Sequence, residues 1–163
     1  FISTAHPTIS AGNQSNKANS GTNADLAIAT LETTLTQVQK TKDDRGILIG
    51  ASAVSLHIPV DSWNIADVLL NTPGKPDTTD NNINATRHMG MVPNGFYINR
   101  RLTDSDAWWV KTDVPNGTKM FTRTPLQTKM EPDFDTGNLR FKARERYSFG
   151  VSDWRGWYGN PGT

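Results

Sequence analysis

The residue types that most often carry catalysis or bind metals are few in this chain and widely spaced. Its three histidines, His6, His57 and His88, lack the HExxH or i, i+4 spacing of zinc ligands on a helix. Cysteine is absent, which excludes thiolate metal sites, cysteine nucleophiles and disulfides. The chain also has no G-x-S-x-G nucleophile motif and no glycine-rich phosphate loop between a strand and a helix. We therefore predict no catalytic residues, no cofactor and no metal. An enzyme whose triad forms only in space is a third interpretation.

A row of basic side chains near the C-terminal end is the strongest candidate for binding. Arg140, Lys142, Arg144 and Arg146 occupy alternate positions, so they project from one face of a predicted strand, and Glu145 projects from the other. Like charges about 7 Å apart on a strand repel one another. The row is stabilised when carboxylates or phosphates lie opposite it. It therefore predicts a partner surface, for protein first and nucleic acid second; a solvated face is the simpler alternative.

Tryptophan is abundant, with five residues in a chain of 163. Trp108 and Trp109 are adjacent, so on a strand they point to opposite faces and only one can enter a given core layer. Aromatic residues of this kind pack cores, stack on sugars or anchor subunit interfaces. We add Trp154, Arg155 and Trp157 to the basic row as candidate interface residues.

Composition favours a domain that is lean in core material. Hydrophobic residues make up 35% of the chain, and they are concentrated after Gly46. A length of 163 residues suits one ordinary domain, so we expect some of its burial to come from outside the chain. The net charge is +1, and most of the basic residues lie in the second half. No apolar stretch approaches the roughly 18 residues that a membrane span needs.

The elements that must position these residues are short helices and strands. A capping pattern at Thr22 and Asp25, followed by apolar residues at helical spacing, predicts a helix over 24–40 that exits near Gly46. A second helix is predicted after Asp61, and Pro115-Asn116-Gly117 predicts a hairpin turn. Short strands are predicted at 47–49, 54–60, 96–99, 107–112, 118–122 and 126–130. The polar stretches 8–23 and 75–84 are predicted to be exposed loops.

The longest predicted element is a β-ribbon at the C-terminal end. Apolar and basic residues alternate from Arg140 to Val151, which is the period of a strand with two different faces. The residues 135–138 can turn this strand back onto the preceding one.

This C-terminal block resembles the end of tailed-bacteriophage major capsid proteins of the Hong Kong 97 type. The resemblance rests on Pro125–Glu131, Asp133–Gly150 and Ser152–Gly156. Upstream, Phe1–Pro7, Asp43–Gly46 and Met89–Pro93 resemble the same family in the same order, so the resemblance spans nearly the whole chain. The Asn-rich loops and the bulky Trp154 and Trp157 depart from the family pattern.

The resemblance implies an α+β shell subunit of the Hong Kong 97-type fold. It places an exposed loop at 1–23, an axial-domain-like region at 24–118, and the returning β-ribbon of the peripheral domain with the C-terminal tail at 119–163. The family's N-terminal arm, extended loop and most of its spine helix are expected before Phe1, so the chain is expected to be the C-terminal portion of the subunit.

The function implied is structural and not enzymatic. Copies of the subunit are expected to assemble into hexamers and pentamers of an icosahedral head that encloses phage DNA. Implied partners are portal, scaffolding or decoration proteins and, non-specifically at the inner surface, the packaged DNA, with no membrane. The expected location is the virion capsid, after assembly in the cytoplasm of the bacterial host. The alternative function is a carbohydrate-binding β-rich module that uses its tryptophans as stacking platforms.

Overall fold

The computed structural model describes residues 1–10, 12–75 and 82–163. The described chain forms two compact units, 1–117 together with 153–163, and 118–152. The strands are β1 (His6–Pro7), β2 (Asn13–Gln14), β3 (Ala53–Ile58), β4 (Phe96–Ile98), β5 (Trp108–Thr112), β6 (Thr118–Pro132), β7 (Leu139–Val151) and β8 (Trp157–Asn160). The helices are α1 (Ile28–Gln39), α2 (Trp63–Asn71) and α3 (Ala85–His88). Short 3-10 turns span Asn19–Gly21, Val60–Ser62 and Trp154–Gly156. No described helix is long and apolar enough to cross a membrane.

A four-stranded sheet in the order β4-β3-β5-β8 is the centre of the first unit. β3 pairs parallel with β4 and antiparallel with β5, and β5 pairs antiparallel with β8. The core contains Leu31, Leu35 and Val38 from α1 together with sheet residues that include Leu56, Trp108, Val110 and Tyr158. The mixture of helices and strands agrees with the α+β prediction.

The helix α1 begins later than its sequence predicts. Ala24 donates its backbone N–H to Oδ1 of Asn160, and its carbonyl accepts from Nε1 of Trp108. These long-range bonds hold the backbone at Ala24 outside the helix, and Ala27 precedes its first turn, with its N–H donated to Oγ1 of Thr30. The predicted capping pattern at Thr22 and Asp25 is therefore wrong. Similarly, no side chain caps α2, because a 3-10 turn that contains Asp61 leads into it.

Two predicted strand features are also wrong. Residues 47–49 form no strand; a single bridge joins Lys42 to Leu48, and Gly46, at φ +90°, turns the chain between them. Residues 115–117 do not join a hairpin, because β5 pairs with β3 and β8 whereas β6 pairs with β7. The strands on either side of 115–117 thus pair with distant segments, whereas residues 47–49 belong to a local turn in which Asp43 donates its N–H to the carbonyl of Ile47 at 2.8 Å. The predictions at 54–60, 96–99 and 107–112 are confirmed as β3, β4 and β5.

The two chain ends differ from the predicted loop and tail. Asn16 and Ala18 are fully buried, although 1–23 is predicted to be an exposed loop. The C-terminal segment supplies β8 to the sheet of the first unit, although 119–163 is predicted to be one region. In the predicted loop 75–84, residues 76–81 lie outside the described residues.

The second unit is a two-stranded antiparallel ribbon. The register between β6 and β7 runs from Thr118 opposite Val151 to Pro132 opposite Leu139. Irregularities between Thr122 and Gln127 lie on β6, so β7 keeps an uninterrupted alternation. At about 3.4 Å per residue the ribbon is about 45 Å long. The long ribbon predicted from alternation is confirmed, with 118–122 and 126–130 joined into one strand.

Candidate interaction surface

The register of the ribbon collects the basic residues on one face. Residues directly opposite each other on antiparallel strands share a face. Lys129 lies opposite Lys142, and Gln127 lies opposite Arg144. The same face carries Arg140 opposite Glu131, Arg146 opposite Thr124, and Lys119 opposite Gly150. We call these residues the basic face of the ribbon.

Most of the positive charge on the basic face is unpaired. Arg140 donates to Oδ2 of Asp133 at 2.6 Å, but its side chain remains 74% exposed. An exposed pair of this kind contributes only about 0–1 kcal/mol. Lys142, Arg144 and Arg146 form no ion pair or side-chain hydrogen bond within the described parts of the chain. The basic face can therefore bind an anionic surface without breaking existing contacts.

The opposite face of the ribbon is apolar and also exposed. Met120 lies opposite Phe149, and Met130 lies opposite Phe141. Phe149 is 72% exposed and Phe141 is 68% exposed, while the Tyr147 ring meets that of Phe149 edge-on at 5.4 Å. Glu145 lies on this face and is exposed. A lone two-stranded ribbon cannot bury a face against itself, so this apolar face is available to a partner.

The tip of the ribbon is an ordered turn. The Asp133 N–H donates to the carbonyl of Asn138 at 2.8 Å, and the Gly137 N–H donates to that of Asp133 at 2.9 Å. Gly137 adopts φ +68°, which favours glycine. The Thr136 hydroxyl donates to the Asp133 carboxylate at 2.8 Å. Phe134 projects from this turn and is 100% exposed.

The predicted interface residue Arg155 makes its contacts inside the first unit. Its side chain is 11% exposed, and it donates to Asp44 at 2.6 Å and to the carbonyl of Lys42 at 2.9 Å. Its guanidinium carbon also lies 4.5 Å from the centre of the Trp154 ring. Arg155 thus ties the C-terminal segment to the loop after α1.

The predicted aromatic residues also pack internally. Trp154 stacks on His6 with ring centres 4.3 Å apart, and Trp157 meets His57 at 4.8 Å. Trp108 is fully buried and Trp109 is half-buried. A sugar platform needs an exposed ring face, whereas each of these four tryptophans is buried or half-buried. The packing around His57 lowers its pKa, chiefly because burial disfavours the charged imidazolium.

Four residues that the sequence did not single out have distinctive positions in the structure. Three asparagines, Asn16, Asn84 and Asn160, are buried and fully hydrogen-bonded. They lie in segments whose composition is typical of exposed loops, so no local signal identifies them. Phe134 was not among the predicted interface residues. A single large apolar residue within a turn rich in Asp, Thr and Gly is, however, a signal of an exposed anchor that the sequence contains. No group of three or more acidic or histidine residues within the described ranges could hold a metal.

Comparison with known proteins gives one match that spans almost the whole chain. A family model described as "Phage capsid protein" matches residues 2–160. No curated protein matches the sequence.

Proposed function

Because the chain belongs to the phage capsid protein family, we propose that it self-assembles with its own copies into the icosahedral head that encloses the phage DNA. Membership of the family gives the chain a structural role in the virion. The copies are proposed to form hexamers and pentamers as assembly units and to assemble in the cytoplasm of the bacterial host.

The observation that carries this proposal is the β6–β7 ribbon with both of its faces uncovered. At roughly 200 Å² per aromatic side chain, the exposed parts of Phe141, Tyr147 and Phe149 amount to about 400 Å² on one face, divided into two groups by Glu145. Exposed apolar area rimmed by polar residues is typical of interaction sites. The basic face adds unpaired positive charge on the other side. A surface of this composition suits a subunit whose stability is completed by its neighbours.

We further propose the Hong Kong 97-type arrangement for the chain. In this arrangement the first unit corresponds to the axial-domain-like region, predicted at 24–118, and the ribbon corresponds to the returning strands of the peripheral domain. The chain is then the C-terminal portion of the subunit. The mixed sheet of the first unit and the separate ribbon support this assignment. We propose that the tail 153–163 belongs with the axial-domain-like region, because β8 pairs in the sheet of the first unit.

The basic face is proposed to contact carboxylates of a neighbouring copy, through Lys142, Arg144 and Arg146, with Arg140 at its distal end. Packaged DNA is the second candidate for this face, since phosphates also neutralise such a row. Glu145, in the middle of the apolar face, is proposed to lie within the contact made by that face. Trp154, Arg155 and Trp157 are proposed as interface residues that act indirectly: through their contacts inside the first unit, they hold the surface that meets a neighbouring copy. Portal, scaffolding and decoration proteins are further proposed partners.

Charge reversal on the basic face tests the assembly role. Arg144→Glu and Arg146→Glu should prevent shell formation, because each replaces an attraction by a repulsion. Both side chains are exposed and unpaired, so the fold should be unchanged. Arg100→Glu is the matched control, since Arg100 is exposed and lies in the first unit. Sedimentation velocity and electron microscopy measure assembly, and circular dichroism measures the fold. Shells in normal yield from both ribbon variants would refute the role of the basic face.

A further inference from the structure

We propose that Phe134, at the tip of the ribbon, anchors one copy of the chain in a cavity of the first unit of a neighbouring copy, where Asp135 pairs with Lys17. The inference rests on the proposed function, because it requires a second copy of the chain. It names the contact that the ribbon tip makes, which is separate from the contacts of its two faces.

The tip has the properties of an interface anchor. Phe134 is 100% exposed, and the turn that carries it is held by two backbone hydrogen bonds and by the Thr136 hydroxyl bonded to Asp133. Interface energy is concentrated in a few large side chains that enter pockets. An ordered turn loses little conformational freedom when such a side chain is inserted. The turn therefore already holds Phe134 in an exposed position before a partner binds.

The cavity has an apolar wall that suits a phenyl ring. It has a volume of about 540 Å³, within the range of small-ligand pockets. Its apolar lining is Ile2, Ala107, Trp109, Gly159 and Pro161. The Trp109 ring lies directly over Gly159, where a Cβ atom would be 2.5 Å from Cδ1 of the indole. This close packing limits movement of the indole, which gives the cavity a preformed aromatic side.

The charges beside the cavity complement the tip. Lys17 lines the cavity, is half-buried, and its ammonium makes no ion pair within the described ranges of the chain. Asp135 is exposed and follows Phe134 directly. Asp104 also lines the cavity, and its carboxylate accepts the N–H of Asp106 at 3.2 Å. Repulsion from Asp104 selects the orientation that places the Asp135 carboxylate beside Lys17.

A contact between a tip and a cavity joins two different surfaces, so it is heterologous. Heterologous contacts generate closed rings when the rotation between subunits closes. Each copy then offers one tip and one cavity, and every contact in the ring is the same. This is the kind of contact that a capsomer needs.

Cysteine trapping tests the contact directly, because the chain has no cysteine of its own. An equimolar mixture of Asn138→Cys, at the tip, and Thr4→Cys, at the cavity, is oxidised with oxidised glutathione and followed on non-reducing gels. The control mixture replaces Thr4→Cys by Ser52→Cys, which is exposed in the same unit but outside the cavity. We expect the cavity pair to cross-link at least about tenfold faster, and Phe134→Ala in the tip variant to abolish the difference. Equal rates, or a difference that survives Phe134→Ala, would overturn the proposal.

A charge exchange tests the ionic part. Asp135→Lys and Lys17→Asp should each slow cross-linking several-fold, and the two variants mixed should restore it. A mixture no faster than either single exchange would remove the Asp135–Lys17 pair from the proposal. Sedimentation of the unmodified chain distinguishes failure of the tip contact from failure of self-assembly. Assembly with equal cross-linking rates refutes only the tip contact, whereas a chain that stays monomeric refutes the proposed function.

Discussion

Replacement of Asn16 by alanine should destabilise the first unit far more than the polar character of its surroundings suggests. Asn16 is fully buried, and its Oδ1 accepts from the Ser3 N–H and from Nε2 of His6, both at 2.8 Å. Its Nδ2 donates to the carbonyls of Phe1, Trp154 and Trp157 at 3.1–3.3 Å. One side chain thus joins the N-terminal segment to the segment that leads into β8.

The magnitude follows from the partners that lose their hydrogen bonds. A buried polar group left without a partner costs about 1–3 kcal/mol. If two of the five partners of Asn16 stay unsatisfied after local relaxation, the loss is about 3 kcal/mol. For a chain of this size that corresponds to a decrease in Tm of about 6–12 °C. The loss is smaller than the usual total stability of about 5–15 kcal/mol, so the variant should still fold.

Urea unfolding followed by tryptophan fluorescence measures this loss, with Asn13→Ala as the control because Asn13 is exposed. Asn16→Asp should cost at least as much, since a carboxylate retains the acceptor for Ser3 but turns an oxygen toward the carbonyls of Trp154 and Trp157. A loss below about 1 kcal/mol for Asn16→Ala, or equal losses for Asn13→Ala and Asn16→Ala, would show that the buried network does not hold the chain ends together.

Three further predictions concern the same unit. The lowered pKa of His57 means that the unfolded chain binds a proton more readily, so stability should decrease as the pH falls below about 6.5. His57→Phe should flatten that dependence in unfolding measured from pH 7 to pH 5, and an unchanged slope would contradict it. Gly156→Ala should cost about 1–3 kcal/mol in urea unfolding, because its Cβ would lie 2.7 Å from Cα of Gly117; a neutral effect would argue against this close approach. Tyr158→Phe should cost about 1 kcal/mol, since the buried hydroxyl of Thr41 loses its bond to Tyr158 and keeps only the longer one that it donates to the carbonyl of Gln37, and a double variant with Thr41→Val should recover part of the loss.

The sequence alone predicted those helices and strands in which the periodic spacing of apolar residues repeats several times within one short segment. Alternation from Arg140 to Val151 predicted β7 and its two faces, because successive side chains on a strand must point to opposite sides. The apolar spacing of Leu31, Leu35 and Val38 predicted the buried side of α1, because residues three or four positions apart lie on the same side of a helix. The absence of cysteine and of catalytic motifs was likewise evident from the sequence.

Tertiary structure decided where the helix starts, which strands pair and which polar residues are buried. Ala24 stays outside α1 because its backbone forms hydrogen bonds with the side chains of Trp108 and Asn160, which are 84 and 136 positions away in sequence. Asn16 and Asn160 lie in segments whose composition is typical of loops. They are nevertheless buried, because their side chains donate to carbonyls of distant segments. Sequence alone determined the local periods and the charge pattern of the ribbon. Burial depends on which distant groups share a site, and only the folded chain brings those groups together.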